Sequence, residues 1–246
     1  MSYTRLIGVM IPTRNRVTLL KECLDSLDKT TSDPSLVELL VKADDDDSET
    51  LRFLDSYTST LPVKIVVSPR KNGYGSLHEH YDSLAKISEA EFLMVFNDDI
   101  EMTTQGWEQR FLPYSGTNFI LAVRNERVRN GLRSPIFENY NGNPCIPHDL
   151  YKSLGTLSHH PMLDDWWVLV TRAIREQHFE LERWLDVMLW FKRPDGVETD
   201  LSADTTFLEG RQHINWKHRG SPELNDFINN LITHMNRYPH KFIPER

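Results

Sequence analysis

The sequence predicts an α/β protein built around a mostly parallel, doubly wound sheet, and three observations carry that prediction. Short apolar runs alternate with helix-period stripes through the first hundred residues, the pattern of strand–helix–strand units. The runs are nearly unbroken rather than alternating with polar residues, as expected of strands covered on both faces. Hydrophobic residues make up 39% and charged residues 26% of the 246 residues, which suits a globular chain with a real core.

The elements follow in order. Leu6-Ile7-Gly8-Val9-Met10-Ile11 is an apolar run stopped by Pro12, a buried strand. Leu20, Cys23, Leu24 and Leu27 recur at i, i+3, i+4 and i+7, one stripe of an amphipathic helix. Leu36 to Val41 reads as a second strand, and Ser48 can cap a helix carrying Leu51 and Leu54. Val63 to Val67 is a third strand with Pro69 soon after. Leu77, Leu84 and Ile87 mark another helix, Phe92 to Phe96 a fourth strand, and the segment around Thr103 to Arg110 a further helix. Ile120 to Val123 reads as a strand, whereas Arg124 to Pro147, rich in Asn, Gly, Pro and Arg, reads as loop. His148 to Leu154 and Asp165 to Arg175 have helical character, and Asp195-Gly196 is a turn signal. Trp184, Val187, Met188 and Phe191 also fall at helical spacing, so the tryptophans 166, 167, 184 and 190 are assigned mainly to the core. Ser221 and Pro222 fit the N-cap and first position of a last helix. Its stripe, Leu224, Phe227, Ile228, Leu231, Ile232 and Met235, ends at Tyr238-Pro239.

Charge and length exclude several classes. With 36 acidic and 28 basic residues, a formal charge of -8, the chain lacks the basic balance of a general nucleic-acid binder. No apolar run approaches the roughly 18 residues of a membrane helix, and Arg5, Pro12, Arg14 and Arg16 crowd the only early apolar stretch, so no signal peptide is read. Cys23 and Cys145 are too few for a disulfide scaffold or a thiolate zinc site. A cytoplasmic protein without a transmembrane segment is the expectation.

In open parallel sheets, ligands sit where strands end at their carboxyl edge. Three predicted strands end there in polar clusters: Pro12-Thr13-Arg14-Asn15-Arg16, Asp44-Asp45-Asp46-Asp47 and Asn97-Asp98-Asp99. Each alone has an ordinary explanation as a turn or a helix cap. Their convergence on one edge points to a site. Carboxylates mounted at the end of a rigid strand suit Mg²⁺ or Mn²⁺, which take oxygen ligands and often only one or two carboxylates when the substrate brings phosphates. Asp164-Asp165-Trp166-Trp167 adds carboxylates beside aromatic faces. Capping of the following helix is the alternative for that pair.

The ordered set Ile11-Pro12-Thr13-Arg14-Asn15-Arg16, Cys23-Leu24-Asp25-Ser26-Leu27, Lys42-Ala43-Asp44-Asp45, Asn72-Gly73 and Asn97-Asp98-Asp99 resembles a family 2 glycosyltransferase of the GT-A, nucleotide-diphospho-sugar transferase-like fold. The resemblance covers about residues 5 to 110 and continues more weakly through Gly106-Trp107 and His148 to Trp167. It implies one domain over 1–246, with a nucleotide-binding half to about 105, an acceptor half over about 106–220 and a C-terminal helix at 221–238. It further implies a nucleoside-diphosphate sugar donor, a glycan or other hydroxyl acceptor, and assistance by Mn²⁺ or Mg²⁺. Thr13 to Arg16, after Pro12, would line the nucleotide pocket, and Asp44 or Asp45 would bond the base edge, where a carboxylate suits the ring N–H of uracil or guanine better than cytosine N3. Arg70-Lys71-Asn72-Gly73-Tyr74-Gly75 would lie beside the diphosphate, with a solvated turn as the ordinary reading of Asn72-Gly73. The Asn97-Asp98-Asp99 triplet corresponds to the family's DXD-like motif: Asp99 would ligate the ion and Asp98 would face ribose or ion. An acid beyond that motif serves as general base, here Asp165 first and Asp164 second.

One departure stands out. Many relatives complete the metal site with a late histidine, and the matching stretch Val187 to Pro194 has none. His159, His160, His213 or His218 could substitute, Lys192 or Arg193 could meet the diphosphate, and Asp204, in Asp204-Thr205-Thr206-Phe207, falls where relatives place a recurring Asp ahead of an aromatic and is read as a loop-ordering group. The leading reading is an inverting glycosyltransferase. The alternative is a catalytically weakened accessory protein that binds nucleotide-sugar or glycan. A sugar-phosphate nucleotidyltransferase would need a glycine-rich loop after the first strand, and Pro12 to Arg16 contains no glycine.

Overall fold

The computed structural model describes residues 3–129, 132–135, 142–177, 182–191 and 220–237. Its centre is β1 (Arg5–Pro12), flanked in parallel by β2 (Val37–Asp44) and β4 (Ala90–Val95), with β3 (Val63–Ser68) outside β2. Three helices make the crossovers: α1 (Val17–Thr30), α2 (Ser48–Ser56) and α3 (Leu77–Ile87). The chain moves outward from β1 to β3 and then returns to place β4 on the other side of β1. This reversal leaves a crevice at the carboxyl ends of β1 and β4.

Period-two alternation in the strands sorts their side chains between two apolar layers. Ile7, Val9 and Ile11 enter the layer closed by Leu20, Cys23, Leu24 and Leu27 of α1. Met10, Leu40, Leu93 and Val95 enter the opposite layer, closed by Tyr81, Leu84 and Ala85 of α3. Burial on both faces is why these strands read as continuous apolar runs.

The second half differs from its expectation. Ile100 to Met102 forms a short strand, β5, and Gly106 turns left-handed (φ 63°) into a 3-10 turn at Trp107–Arg110, so no α-helix spans 103–110. Trp107 is fully buried and its indole N–H donates to Thr31 Oγ1 at 3.1 Å. The segment 124–147 is not simply loop: β6 runs Ile120–Arg129, β7 Leu132–Pro135 and β8 Cys145–Pro147. Ladder pairing draws on backbone groups, so polar residues join a sheet whenever a neighbour offers its edge. That neighbour is β9 (Glu182–Phe191), parallel to β6 and antiparallel to β5. Within β9, Leu185, Val187 and Leu189 are buried while Trp184 and Met188 are half-buried. The helical spacing of 184, 187, 188 and 191 therefore arises from a strand with apolar residues on both faces. Cys145 of β8 pairs Met94 on one side and Leu121 on the other, knitting the halves into one sheet.

Helix α4 (His148–Leu154) meets its expectation, and α5 runs Leu163–Gln177. Asp164 and Asp165 lie inside the first turn of α5, where the helix dipole favours carboxylates, rather than ahead of it as caps. The last helix, α6 (Pro222–Arg237), is capped as expected by Ser221, whose Oγ accepts from Leu224 N at 3.2 Å. Phe227 of α6 meets Trp166 and Trp167 edge-on, which confirms those two tryptophans as core. The Asp195-Gly196 turn and the Tyr238-Pro239 stop lie outside the described residues.

Candidate active site

The three polar clusters meet at the crevice. Register sets this up: Pro12 stands opposite Lys42 and Met10 opposite Val95, and the Thr13 amide continues the ladder to the Lys42 carbonyl at 2.9 Å. The result is an open cleft lined by residues of all three clusters, a concave site of the kind where small molecules bind.

The floor is Asn97-Asp98-Asp99. Asp98 is 4% exposed; its Oδ2 accepts from Thr13 Oγ1 at 2.8 Å and its Oδ1 from Arg16 Nη1 at 3.1 Å. Burial raises the Asp98 carboxyl above the ordinary range, Arg16 opposes that shift, and the adjacent Asp99 charge adds to it. Arg16 Nη1 also lies 4.0 Å from Asp99 Oδ2. The Tyr81 hydroxyl, from α3, donates at 2.7 Å to the Phe96 carbonyl and lies 2.8 Å from Asn97 Oδ1, fixing the start of the triplet.

One wall is built on Asp44, the last residue of β2. It is 4% exposed and receives Lys42 on Oδ1 and Arg14 Nη1 on Oδ2, the latter at 2.8 Å. Arg14 also pairs with Asp46, and that hydrogen bond first, then Asp44, raises its pKa further. Further lining comes from the β3–α3 connection, Arg70, Gly73 and Tyr74, and from Leu77 and His80 in the first turn of α3. Gly73 adopts φ 56°, a conformation that favours glycine, and a Cβ there would stand 3.0 Å from Arg70 Nε, so a larger residue would press on the Arg70 side chain. His80 is pushed down to about 4, by burial first and then by the Lys42 charge, so it is neutral at pH 7.

Of the residues singled out in the sequence, Pro12, Thr13, Arg14, Arg16, Asp44, Gly73, Asn97, Asp98 and Asp99 line this cleft. Asn15, Asp45 and Asn72 are exposed and lie outside the lining. Asn15 instead contributes backbone: at φ 53° its amide donates to Asp47 Oδ2 at 2.6 Å, a conformation Asn tolerates better than most residues. That turn sends Arg14 and Arg16 inward on either side. Asp47, not Ser48, caps α2, accepting from Thr50 N at 3.2 Å. Asp164 and Asp165 are half-buried beyond the lining, although the Asp164 charge is felt at Tyr81. Sequence reasoning did not single out Lys42, His80 or Tyr81 as site residues. Lys42 carried a signal, a charged residue at the end of an otherwise apolar strand; His80 and Tyr81 sit on a helix face whose direction periodicity does not reveal.

Asp98 and Asp99 offer hard carboxylate oxygens, the donor chemistry that fits Mg²⁺ or Mn²⁺. Among the described residues no group of three His, Cys, Asp or Glu side chains could hold an ion, so a bound ion would take further ligands from its substrate. His159 meets Trp166 and Phe227, while His160 Nδ1 accepts from Met162 N at 3.1 Å. His213, His218, Lys192, Arg193 and Asp204 lie outside the described residues. No helix among the described residues is long and apolar enough to cross a membrane.

Comparison with known proteins agrees with this geometry. No curated protein matches the sequence. Among solved structures, Staphylococcus aureus TarS 1–349 in complex with UDP-GlcNAc is similar with a TM-score of 0.60 and 13% identity, over 95% of this chain and 73% of that one. The TarS 1–349 complex with UDP matches at 0.58 and 12%, over 95% and 72%. The mannosyltransferase PcManGT from Pyrobaculum calidifontis, in complex with GDP-Man and Mn²⁺, matches at 0.56 and 14%, over 97% and 77%. These likenesses establish a GT-A architecture. The family model for glycosyl transferase family 2 matches residues 8–158, a span that runs from within β1 through β4 and holds the Asn97-Asp98-Asp99 floor and the cationic walls, so the chain is a glycosyltransferase and belongs to glycosyl transferase family 2.

Proposed function

We propose that the protein transfers a sugar from a nucleoside-diphosphate sugar to a hydroxyl acceptor, with inversion and with Mg²⁺ or Mn²⁺ at Asp99 and Asp98. The observation that supports this most is the meeting of a buried carboxylate, Asp98, and its half-buried neighbour Asp99 with Arg14, Arg16, Lys42 and Arg70 in one cleft. Such a cleft suits a ligand that carries a base at one end and a diphosphate in the middle. Donors bound by TarS and PcManGT, UDP-GlcNAc and GDP-Man, are of that class. Residues up to about 105 would carry the donor, about 106–220 the acceptor, and 221–238 the closing helix.

In this reading Thr13, Arg14 and Arg16 line the nucleotide pocket, and Arg70 with the Gly73 backbone faces the diphosphate. A bound divalent ion would neutralise charge on the departing diphosphate. The acceptor oxygen attacks the anomeric carbon as the bond to the phosphate oxygen breaks, the hydroxyl proton passes to a carboxylate, and the diphosphate leaves. The Asp164–Asp165 pair supplies that carboxylate. Asp165 matches the family spacing, and the reach of the Asp164 charge to Tyr81 makes the second member worth equal scrutiny.

The test is transfer and slow donor hydrolysis with a panel of nucleoside-diphosphate sugars, with and without Mn²⁺. Asp99→Ala should remove metal-stimulated turnover. Of Asp164→Asn and Asp165→Asn, one should keep donor binding and lose transfer by about 10²-fold or more; full transfer in both removes the base assignment. One observation favours a second reading. Arg16 and Thr13 already hold Asp98, and Arg16 approaches Asp99, a partial neutralisation suited to a weakened accessory protein that binds nucleotide-sugar or glycan. Donor binding without turnover on any acceptor would favour it.

A further inference from the structure

Strand β3 is an open edge of the sheet. It pairs β2 on one side and, among the described residues, no strand on the other. Natural edges are usually guarded against pairing with another chain by a charge, a proline or a bulge. Here the register with β2 runs unbroken to Ser68, and no proline lies within the strand. Its one charge, Lys64, turns toward α3 and is taken up by Glu38 and Glu89, at 2.9 and 2.8 Å. The large apolar residues exposed among the described ones are Ile65, Val67, Ile87 and Leu112. All but the last gather at this edge: Ile65 and Val67 are on β3, and the Ile87 carbonyl accepts from Lys64 Nζ at 3.3 Å.

The edge has a definite phase. The Pro62 carbonyl accepts from Leu39 N at 2.8 Å and the Ser68 carbonyl from Asp45 N at 3.1 Å. Even-numbered residues therefore bond to β2, while Val63, Ile65 and Val67 turn N–H and C=O away from it. Their side chains share one face, on which Val63 packs into the layer of α1 and α2. We propose that this edge pairs antiparallel with the same edge of a second copy, about a two-fold axis at Ile65. In that register Ile65 faces Ile65 of the second copy and Val63 faces its Val67, so each outward group finds a partner and the apolar row meets itself. Lys64 falls opposite Val66. An axis at Lys64 would set two lysines against each other, and one at Val66 would place Val63 opposite Pro69, which has no N–H. The pairing occupies both edges, so assembly closes at a dimer. It also sends the carboxyl ends of the two β3 strands in opposite directions, so the two clefts open at opposite ends of the joined sheet. A six-residue strand from each copy makes a small interface, of the class under about 1,200 Å² that associates weakly, with a dissociation constant of about 10–100 μM expected.

The measurement is sedimentation equilibrium of the intact chain from about 1 to about 300 μM, a range that brackets weak association. The chain should pass from monomer to dimer across it and form nothing larger. Ile65→Lys and Ile65→Glu should each weaken association about tenfold or more, because like charges then face each other across the axis. An equimolar mixture of the two variants should regain it, since position 65 faces itself in this register. Leu112→Lys, on a 3-10 turn outside this edge, should leave association unchanged. Ile65 is 42% exposed, so both of its variants should keep the parent's thermal midpoint. If either does not fold, Val67→Lys, at 50% exposure, takes its place and should weaken association equally. A monomer at every concentration overturns the proposal. So do undiminished association of Ile65→Lys, a mixture of Ile65→Lys and Ile65→Glu that stays monomeric, and growth beyond the dimer.

Discussion

His80 and Asp98 show how two buried groups in one cleft link stability to pH with opposite signs. His80 titrates near 4 in the fold against about 6.5 unfolded. Between those values the unfolded chain holds a proton that the native one refuses, so stability falls as pH drops through the window. At pH 4 the His80 contribution to that loss is about 3 kcal/mol. Asp98 is raised above its unfolded value, so the native state holds the extra proton and gains stability over much of the same range. The two partly cancel, and the difference between variants is the informative quantity. His80→Phe should be less acid-sensitive than the parent between pH 6.5 and 4, read as thermal midpoints at pH 7 and pH 4.5. Equal acid sensitivity would show that His80 is not held neutral by the fold. The residue types of this cleft were legible in the sequence because strand-end polar clusters are conspicuous. Which members face inward was not: Asp44 turns to the cleft, Asp45 to solvent and Asp47 to the end of α2, and four consecutive aspartates carry no mark of that division.

At the scale of elements, β1 has to pass closely between its neighbours. A Cβ on Gly8 would stand 2.7 Å from Ser88 Oγ and 3.2 Å from Leu40 Cδ1. Ser88 Oγ is not free to retreat, since it donates to Glu38 Oε1 at 2.8 Å and accepts from Ala90 N at 3.1 Å. Glu38 is itself 1% exposed and also receives Lys64 and the Glu89 amide. Gly8→Val should therefore combine overpacking with a disturbed buried network and cost about 3 kcal/mol or more in denaturant unfolding; a loss below about 0.5 kcal/mol would mean the strands separate more easily than the contacts indicate. The first four strands were legible because burial on both faces makes them apolar throughout. The later strands were not. In β6 the backbone ladder holds Arg124 and Asn125 opposite Met188 and Leu189, and pairing of that kind leaves no period in the side chains. In β9, apolar residues on both faces imitated a helical stripe.

At the scale of the molecule, α6 returns over α4 and α5, far along the sequence from the cleft-bearing half. Phe227 stands 5.3 Å from Trp166, 5.9 Å from Trp167 and 6.0 Å from His159, all edge-on. Phe227→Ala should cost about 3–5 kcal/mol, a fall of roughly 10 °C in Tm for a chain of this size, while nucleotide-diphosphate affinity stays within about twofold. A large loss of nucleotide binding would mean that α6 shapes the cleft as well as stabilising the fold. The sequence by itself determined the parallel half, the edge on which the site lies and the chemical character of its residues, because local periodicity and strand-end polarity are properties of neighbours in the chain. Tertiary structure alone decided the strand order 3-2-1-4 with the antiparallel strands beyond it, the burial of Lys42 beside Asp44, and the direction in which each aspartate points. Those depend on contacts between residues distant in sequence, whose pairing energy has no local signature.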